Sequence, residues 1–280
     1  MQPEGPGLYA LPWQGAGDHD RLPARGGGRH AAGPWPERQG GLHRLVRDEL
    51  VTRQLAEQLA ERTALRVLDV GCGPATQTVR LARAGHLVTG VDPDPVTLGA
   101  AQAAVAAEPA EVRQRIRLLG GDGHACARWF EPRSFDAVLC HGVLQYLPDP
   151  DALLASLARV LDVGGVLSLV VRNAEALAMR PALGGDWRTA LASFDTRRYT
   201  DRYGVPARAE RLADLATTLS GLSVPVRAWY GVRVFTDAAP DGAVPVDGRQ
   251  LAQLLDAEEQ AGRRDPYRQV AALLHVVGAK

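Results

Sequence analysis

Residues 65–76 read Leu-Arg-Val-Leu-Asp-Val-Gly-Cys-Gly-Pro-Ala-Thr, and no other stretch constrains the fold as tightly. An apolar run (Val67, Leu68, Val70) ends at Gly71 and Gly73, and a helical pattern follows Pro74. That order predicts a buried strand, a tight turn and a helix start, the arrangement with which open α/β sheets bind ligands at strand ends. Glycine suits the turn because no Cβ holds a ligand away from the backbone. A dinucleotide fingerprint requires a third glycine, and Thr76 stands in that place.

The rest of the chain repeats the unit. Leu42, Leu45, Val46, Leu50, Val51, Leu55 and Leu59 recur at helical spacing. Strands are expected at 66–70, 87–91, 116–119, 135–140 and 166–171, with helices over 75–84, 95–107 and from Asp151, its cap, to about Leu161. Gly164-Gly165 leads into the fifth strand. Successive βα steps imply α/β architecture, a doubly wound, mostly parallel sheet. Residues 172–211 break the rhythm and read as helices around Pro181 and Gly184-Gly185, then a loop from Phe194 to Gly204. A helix over 208–220, a strand over 224–235, a helix over 251–261 and a final strand over 271–277 complete the pattern.

Composition bounds the function classes. With 280 residues, 46% hydrophobic, the chain suits one large α/β domain or one domain with an inserted cap. Formal net charge is zero, so nothing global demands a polyanionic partner. Lys280 is the only lysine, so arginine clusters need discounting. Cys72, Cys126 and Cys140 lack metal-ligand spacing and fit a reducing cytoplasm; no metal is expected. Residues 1–40 hold nine glycines and six prolines, which predicts a poorly ordered extension before a domain over 41–280.

Charged positions at strand ends mark the site. Asp92 ends the second strand, 21 residues after Gly71, where an acid accepts both ribose hydroxyls of a nucleoside cofactor. Gly120-Gly121-Asp122-Gly123 follows the third strand, and His141, Gln145 and Tyr146 follow the fourth. Seven arginines, Arg198 among them, against four acids fall within 180–211.

The Asp69-x-Gly71-x-Gly73 pattern resembles the first motif of class I S-adenosylmethionine (SAM) methyltransferases. Leu161-Asp-Val-Gly-Gly-Val-Leu resembles their late helix–Gly-Gly–strand junction. The resemblance implies a Rossmann-like seven-stranded sheet with a helical insertion before strand six, and SAM as cofactor. It implies contacts from Asp69 to the cofactor's amino group, from Gly71 and Gly73 to its methionine part, and from Asp122 and the adjoining Gly123 to adenine. His141 is a further cofactor-side candidate. SAM has no pyrophosphate, so the missing third glycine is no loss, and its ammonium suits a carboxylate. Trp129 and Phe130 read as core rather than as flanks of the adenine.

Three further segments form a linked set: Asn173-Ala174, Trp229 through Asp237, and Asp265-Pro-Tyr267 followed by Leu273-Leu-His275. From about residue 42 onward the chain is similar to the bacterial tRNA 5-carboxymethoxyuridine methyltransferases. That resemblance implies a cytoplasmic enzyme that esterifies the carboxylate of a modified wobble uridine in tRNA. It makes Asn173, Arg233 and Tyr267 pocket candidates, and Arg198 of the arginine-rich insertion and Tyr230 are further substrate-side candidates. The family's lysine-glycine element reads Gln39-Gly40 here, and Gln145-Tyr146 replaces an acidic residue and tryptophan. His141, Tyr146 and Arg233 are the candidates for catalysis or substrate positioning, Arg233 as a carboxylate clamp. A small-molecule O- or N-methyltransferase and a non-catalytic RNA-binding relative are the alternatives.

Overall fold

The computed structural model describes residues 41–280 except 61, 124–125, 202–203, 241–242 and 244–246. The expected extension over 1–40 lies outside the described residues.

Among the described residues, nine strands run in chain order: β1 (Arg66–Val70), β2 (Leu87–Asp92), β3 (Ile116–Gly120), β4 (Phe135–His141), β5 (Leu161–Arg172), β6 (Arg198–Thr200), β7 (Pro206–Arg208), β8 (Val226–Val232) and β9 (Leu273–Ala279). Seven form one sheet in the order β3-β2-β1-β4-β5-β9-β8. β1 pairs in parallel with β2 and β4, and β5 continues that direction beside β4. β9 lies antiparallel between β5 and β8. The strand order reverses between β1 and β4, where a crevice opens beyond the carboxyl ends.

Among the described residues, eight helices flank these strands: α1 (Leu42–Gln58), α2 (Thr76–Arg83), α3 (Pro95–Ala106), α4 (Asp151–Val160), α5 (Met179–Leu183), α6 (Trp187–Ser193), α7 (Leu212–Gly221) and α8 (Gly248–Gly262). Single turns occupy Ala110–Arg113 and Cys126–Trp129. The apolar stripe of α1 (Val46, Leu50, Val51, Leu55) is buried with Leu139, Val170, Val232 and Val277 of the sheet and Leu255 of α8. Leu153, Leu154 and Leu157 of α4 and Leu215 and Leu219 of α7 pack with Leu68, Val138, Leu167 and Val276. Covered on both faces, the central strands carry continuous apolar runs rather than alternation. Asp94 caps α3 by accepting from the Val96 and Thr97 amides, with Pro95 in the first turn.

Several boundaries differ from the sequence reading. β5 starts at Leu161, which pairs with Phe135, and pairing resumes only at Val166 with Ala137. Residues 162–165 bulge between, so Gly164-Gly165 lies inside the strand rather than before it. Pro150, not Asp151, stands at the cap of α4, and Asp149 accepts from the Asp151 amide. The insertion is not purely helical: after α5 and α6 it folds into the β6–β7 hairpin, so 206–208 is strand and α7 begins only at Leu212. β8 ends at Val232, because Arg233 adopts a left-handed φ of 63° that closes the strand.

Candidate active site

The turn after β1 supplies the floor of the crevice. Gly71 and Gly73 have φ of 71° and 56°, a region open mainly to glycine. A Cβ on Gly71 would stand 2.2 Å from Val143 Cγ2, so the turn and the segment after β4 meet at the reversal point. Around Gly73 the corresponding space is open. The Asp92 carboxylate, at the end of β2, accepts from the Gly73 amide (2.9 Å) and the Asp94 amide (3.0 Å). Asp69 is almost fully buried and accepts from Thr78 Oγ1 at 2.7 Å. The structure therefore places Asp69 as the strut between β1 and α2. Burial pushes its carboxyl up to about 6, opposed by the Thr78 bond and reinforced by Asp92. Burial also raises Asp92.

Asp122 lies exposed just past β3. A Cβ on Gly121 would come within 1.9 Å of Trp129 Cη2, so the indole lies against the backbone beside Asp122. Trp129 is 38% exposed and is not core, which corrects the sequence reading, whereas Phe130 stacks edge-on against Phe135. A Cβ on Gly123 would press within 2.5 Å of Val70, holding this segment against β1. α1 is fastened over the glycine turn: Arg44 donates to Thr76 Oγ1 (3.0 Å), and Gln77 donates to the Asp48 carbonyl (3.0 Å).

The other sequence candidates divide sharply. His141 ends β4, and its Nε2 lies 2.8 Å from Ser168 Oγ. Burial, helped by His275 and Arg47, holds its imidazole well below the ordinary value, so it is a weak base. Tyr146 donates to Asp201 at 3.0 Å. Burial and Asp201 raise its hydroxyl, which keeps it protonated. Tyr199 donates to Gln145 Oε1 (3.3 Å), so the β6–β7 hairpin sits on the segment after β4.

Asn173 is 1% exposed and fully engaged: its amide donates to the Gln269 and Ala271 carbonyls and its oxygen accepts from the Glu175 amide. It clips the end of β5 to the loop before β9 and does not face a substrate. Tyr230 is likewise removed from the site. The pleat of β8 turns it under α1, where its hydroxyl meets Gln58 (2.6 Å) and Glu57 (3.2 Å). Tyr267 is exposed beside Phe235, and Arg198 is exposed on the hairpin.

Arg233 does stand at the carboxyl edge, but not alone. It pairs with Asp237, and Arg172 at the end of β5 donates to the same carboxylate at 3.3 and 3.2 Å. Burial would raise Asp237, but the two guanidiniums outweigh it and hold the carboxyl below its ordinary range. Arg172 lies 5.8 Å from the Tyr199 ring centroid, and its buried Nε has no hydrogen-bond partner among the described residues. The turn that carries Arg233 is held by fully buried Glu258, which accepts from the amides of Val234, Phe235 and Thr236. The sequence reading gave no role to Arg172, Tyr199, Asp237 or Glu258, although Asp237 closes the linked segment from Trp229. A further local signal was Arg172 directly after the apolar run Leu169-Val170-Val171.

Residues 68–169 match the methyltransferase domain family. The chain is 28% identical over 242 residues to the tRNA 5-carboxymethoxyuridine methyltransferase of Escherichia coli K12, covering 86% of this chain and 89% of that protein. It is 33% identical over 149 residues to the ubiquinone biosynthesis O-methyltransferase of Xanthomonas campestris, covering 52% of this chain and 60% of that protein. The structure of magnesium protoporphyrin IX methyltransferase from Synechocystis PCC 6803 with bound SAH shares the fold at a TM-score of 0.56 and 16% identity. That match covers 88% of this chain and 93% of the other.

The crevice fits the cofactor these matches indicate. The Asp92 carboxylate lies close enough to Asp69 to raise its carboxyl, so the turn is a poor cradle for a pyrophosphate. Each oxygen of Asp92 accepts one backbone amide and retains a lone pair for a ribose hydroxyl.

Proposed function

We propose that this class I SAM-dependent methyltransferase transfers the methyl group to a carboxylate, that of a 5-carboxymethoxy-type wobble uridine in tRNA. The observation that carries this reading is the pair Arg172 and Arg233 around the single carboxylate of Asp237. Both guanidiniums converge there, largely buried, and bring their positive charge to the same sheet edge as Asp92 and His141. A substrate carboxylate is the complement of that charge.

Methyl transfer from a sulfonium is an in-line displacement, and the protein's contribution is alignment and exclusion of water. SAM, when bound, supplies the methyl group and the positive leaving sulfur. Asp92 would hold its ribose, Gly71 and Gly73 would admit its methionine part, and Asp122 with Trp129 would flank its adenine. A carboxylate acceptor is ionised at neutral pH and needs no general base. That agrees with a site in which His141 is a weak base and Tyr146 stays protonated. Arg172 and Arg233 orient the acceptor, and the β6–β7 hairpin with Tyr199 covers it.

The similarity to the tRNA enzyme spans the substrate-side half as well as the cofactor half. Similarity to the ubiquinone enzyme covers about half of the chain, so the small-molecule reading rests on less. A tRNA substrate places the protein in the cytoplasm. No described helix is long and apolar enough to cross a membrane.

The test is methyl transfer from labelled SAM into total tRNA and, separately, into a small-molecule extract. Base-labile label in tRNA, with binding that weakens steeply with salt, is the expected result. Label confined to the small-molecule extract, or base-stable label in RNA, overturns the reading.

A further inference from the structure

A chain of buried polar side chains crosses the face of the sheet beneath α1. Gln54 of α1 has Oε1 2.7 Å from His275 Nδ1 on β9. His275 Nε2 is 2.8 Å from Ser168 Oγ on β5, and the same Oγ is 2.8 Å from His141 Nε2 on β4. Gln54, Ser168 and His275 are completely buried, so no solvent hydrogen bond competes. Partners up to 221 residues apart in sequence meet because Leu139↔Ser168 and Leu169↔Val276 pairing brings three strands into one register under the helix.

With Gln54 Oε1 turned toward His275, the inventory of hydrogens in this chain has one solution, and the flipped amide would give the opposite polarity. That oxygen can only accept, so His275 carries its hydrogen on Nδ1. Burial lowers His275 to about 3, so the ring is neutral and its Nε2 is a lone pair. The Ser168 hydroxyl therefore donates to His275. Serine has a single hydrogen to give, so its oxygen accepts from His141, whose Nε2 must carry the hydrogen. His141 is neutral as well, and its Nδ1 has no hydrogen-bond partner among the described residues.

We infer that Gln54, His275 and Ser168 are positioning residues that lock His141 as the Nε2–H tautomer and present its Nδ1 as a hydrogen-bond acceptor at the reacting edge. The group that meets Nδ1 must bring a hydrogen: an ammonium or a hydroxyl, not a carboxylate. The two halves of the site are then sorted by chemistry, donors to His141 and the anionic acceptor to Arg172 and Arg233. Because Gln54 sits on α1, the same helix that is fastened over the glycine turn also sets the ring at the end of β4. The sorting of the two halves rests on the carboxylate reading of the acceptor; the tautomer of His141 does not.

The tautomer is read directly by nitrogen NMR of the full chain labelled at histidine, with His141 assigned by the signal lost in His141→Gln. The expected spectrum has a protonated, pyrrole-type Nε2 and an unprotonated, pyridine-type Nδ1. Ser168→Ala, folded by circular dichroism, is expected to shift both nitrogens toward an average of the two tautomers, and Ser168→Thr to restore the wild-type pattern. A wild-type His141 with its hydrogen on Nδ1 overturns the inference, as does a Ser168→Ala spectrum identical to wild type. If Ser168→Ala does not fold, the wild-type spectrum alone decides between the two polarities.

Discussion

Replacing Asp92 with alanine tests the cofactor geometry most directly. The carboxylate accepts one backbone amide on each oxygen, leaving one lone pair per oxygen for the two ribose hydroxyls. A hydrogen bond to a charged acceptor contributes about 1.5–3 kcal/mol, and the low end applies because the diol regains water when unbound. Two such bonds amount to about 3 kcal/mol, roughly a 100-fold loss of SAM affinity. Asp92→Asn keeps one acceptor oxygen and no charge, so about 10-fold is expected. Titration calorimetry with SAM gives both values. The series also separates ribose binding from the loop's own integrity, because a variant that merely loosened the Gly73 turn would lower the melting temperature in step with affinity. Asp92→Ala binding SAM within about threefold of wild type would show that this carboxylate does not hold the ribose.

Two other expectations follow from the same turn. Asp69 rises from 3.8 to about 6 on folding. Between those values the folded chain holds a proton that the unfolded chain has lost, so ligand-free stability falls as pH rises through that window. The fall is about 3 kcal/mol, from roughly 1.4 kcal/mol per unit. Asp69→Asn should remove it in a pH series of urea unfolding curves; equal slopes in the two proteins would refute the assignment. Gly71→Ala adds a methyl 2.2 Å from Val143 Cγ2 at a φ of 71°. Strain of about 1 kcal/mol and overpacking of about 2 kcal/mol are expected. Adding Val143→Ala should relieve the packing part, visible as a coupling of about 2 kcal/mol in a double-mutant cycle; zero coupling would mean that the two segments do not touch.

Short-range pattern located the strand ends that carry the cofactor candidates. β1, the Gly71–Gly73 turn, Asp92 and Asp122 all lie at strand ends that periodicity alone locates, because a parallel βα unit places each strand's carboxyl end on one edge. The same logic carried the sheet's class. It failed for the substrate half, where the deciding facts are long-range. Whether Tyr230 faces a ligand or the core depends on the pleat of β8 and on α1, 172 residues away. Asn173 looked available and is consumed by the loop before β9, 96 and 98 residues on. Arg233 was legible as a cation, but its partnership with Asp237 and Arg172 required β8 to end in a left-handed residue and to lie two strands from β5. The sequence by itself determined the fold class and the cofactor, since both rest on local backbone geometry and repeating apolar spacing. Only the tertiary structure decided which polar side chains are spent on one another, because buried groups take the partners that register and helix docking bring within hydrogen-bond reach.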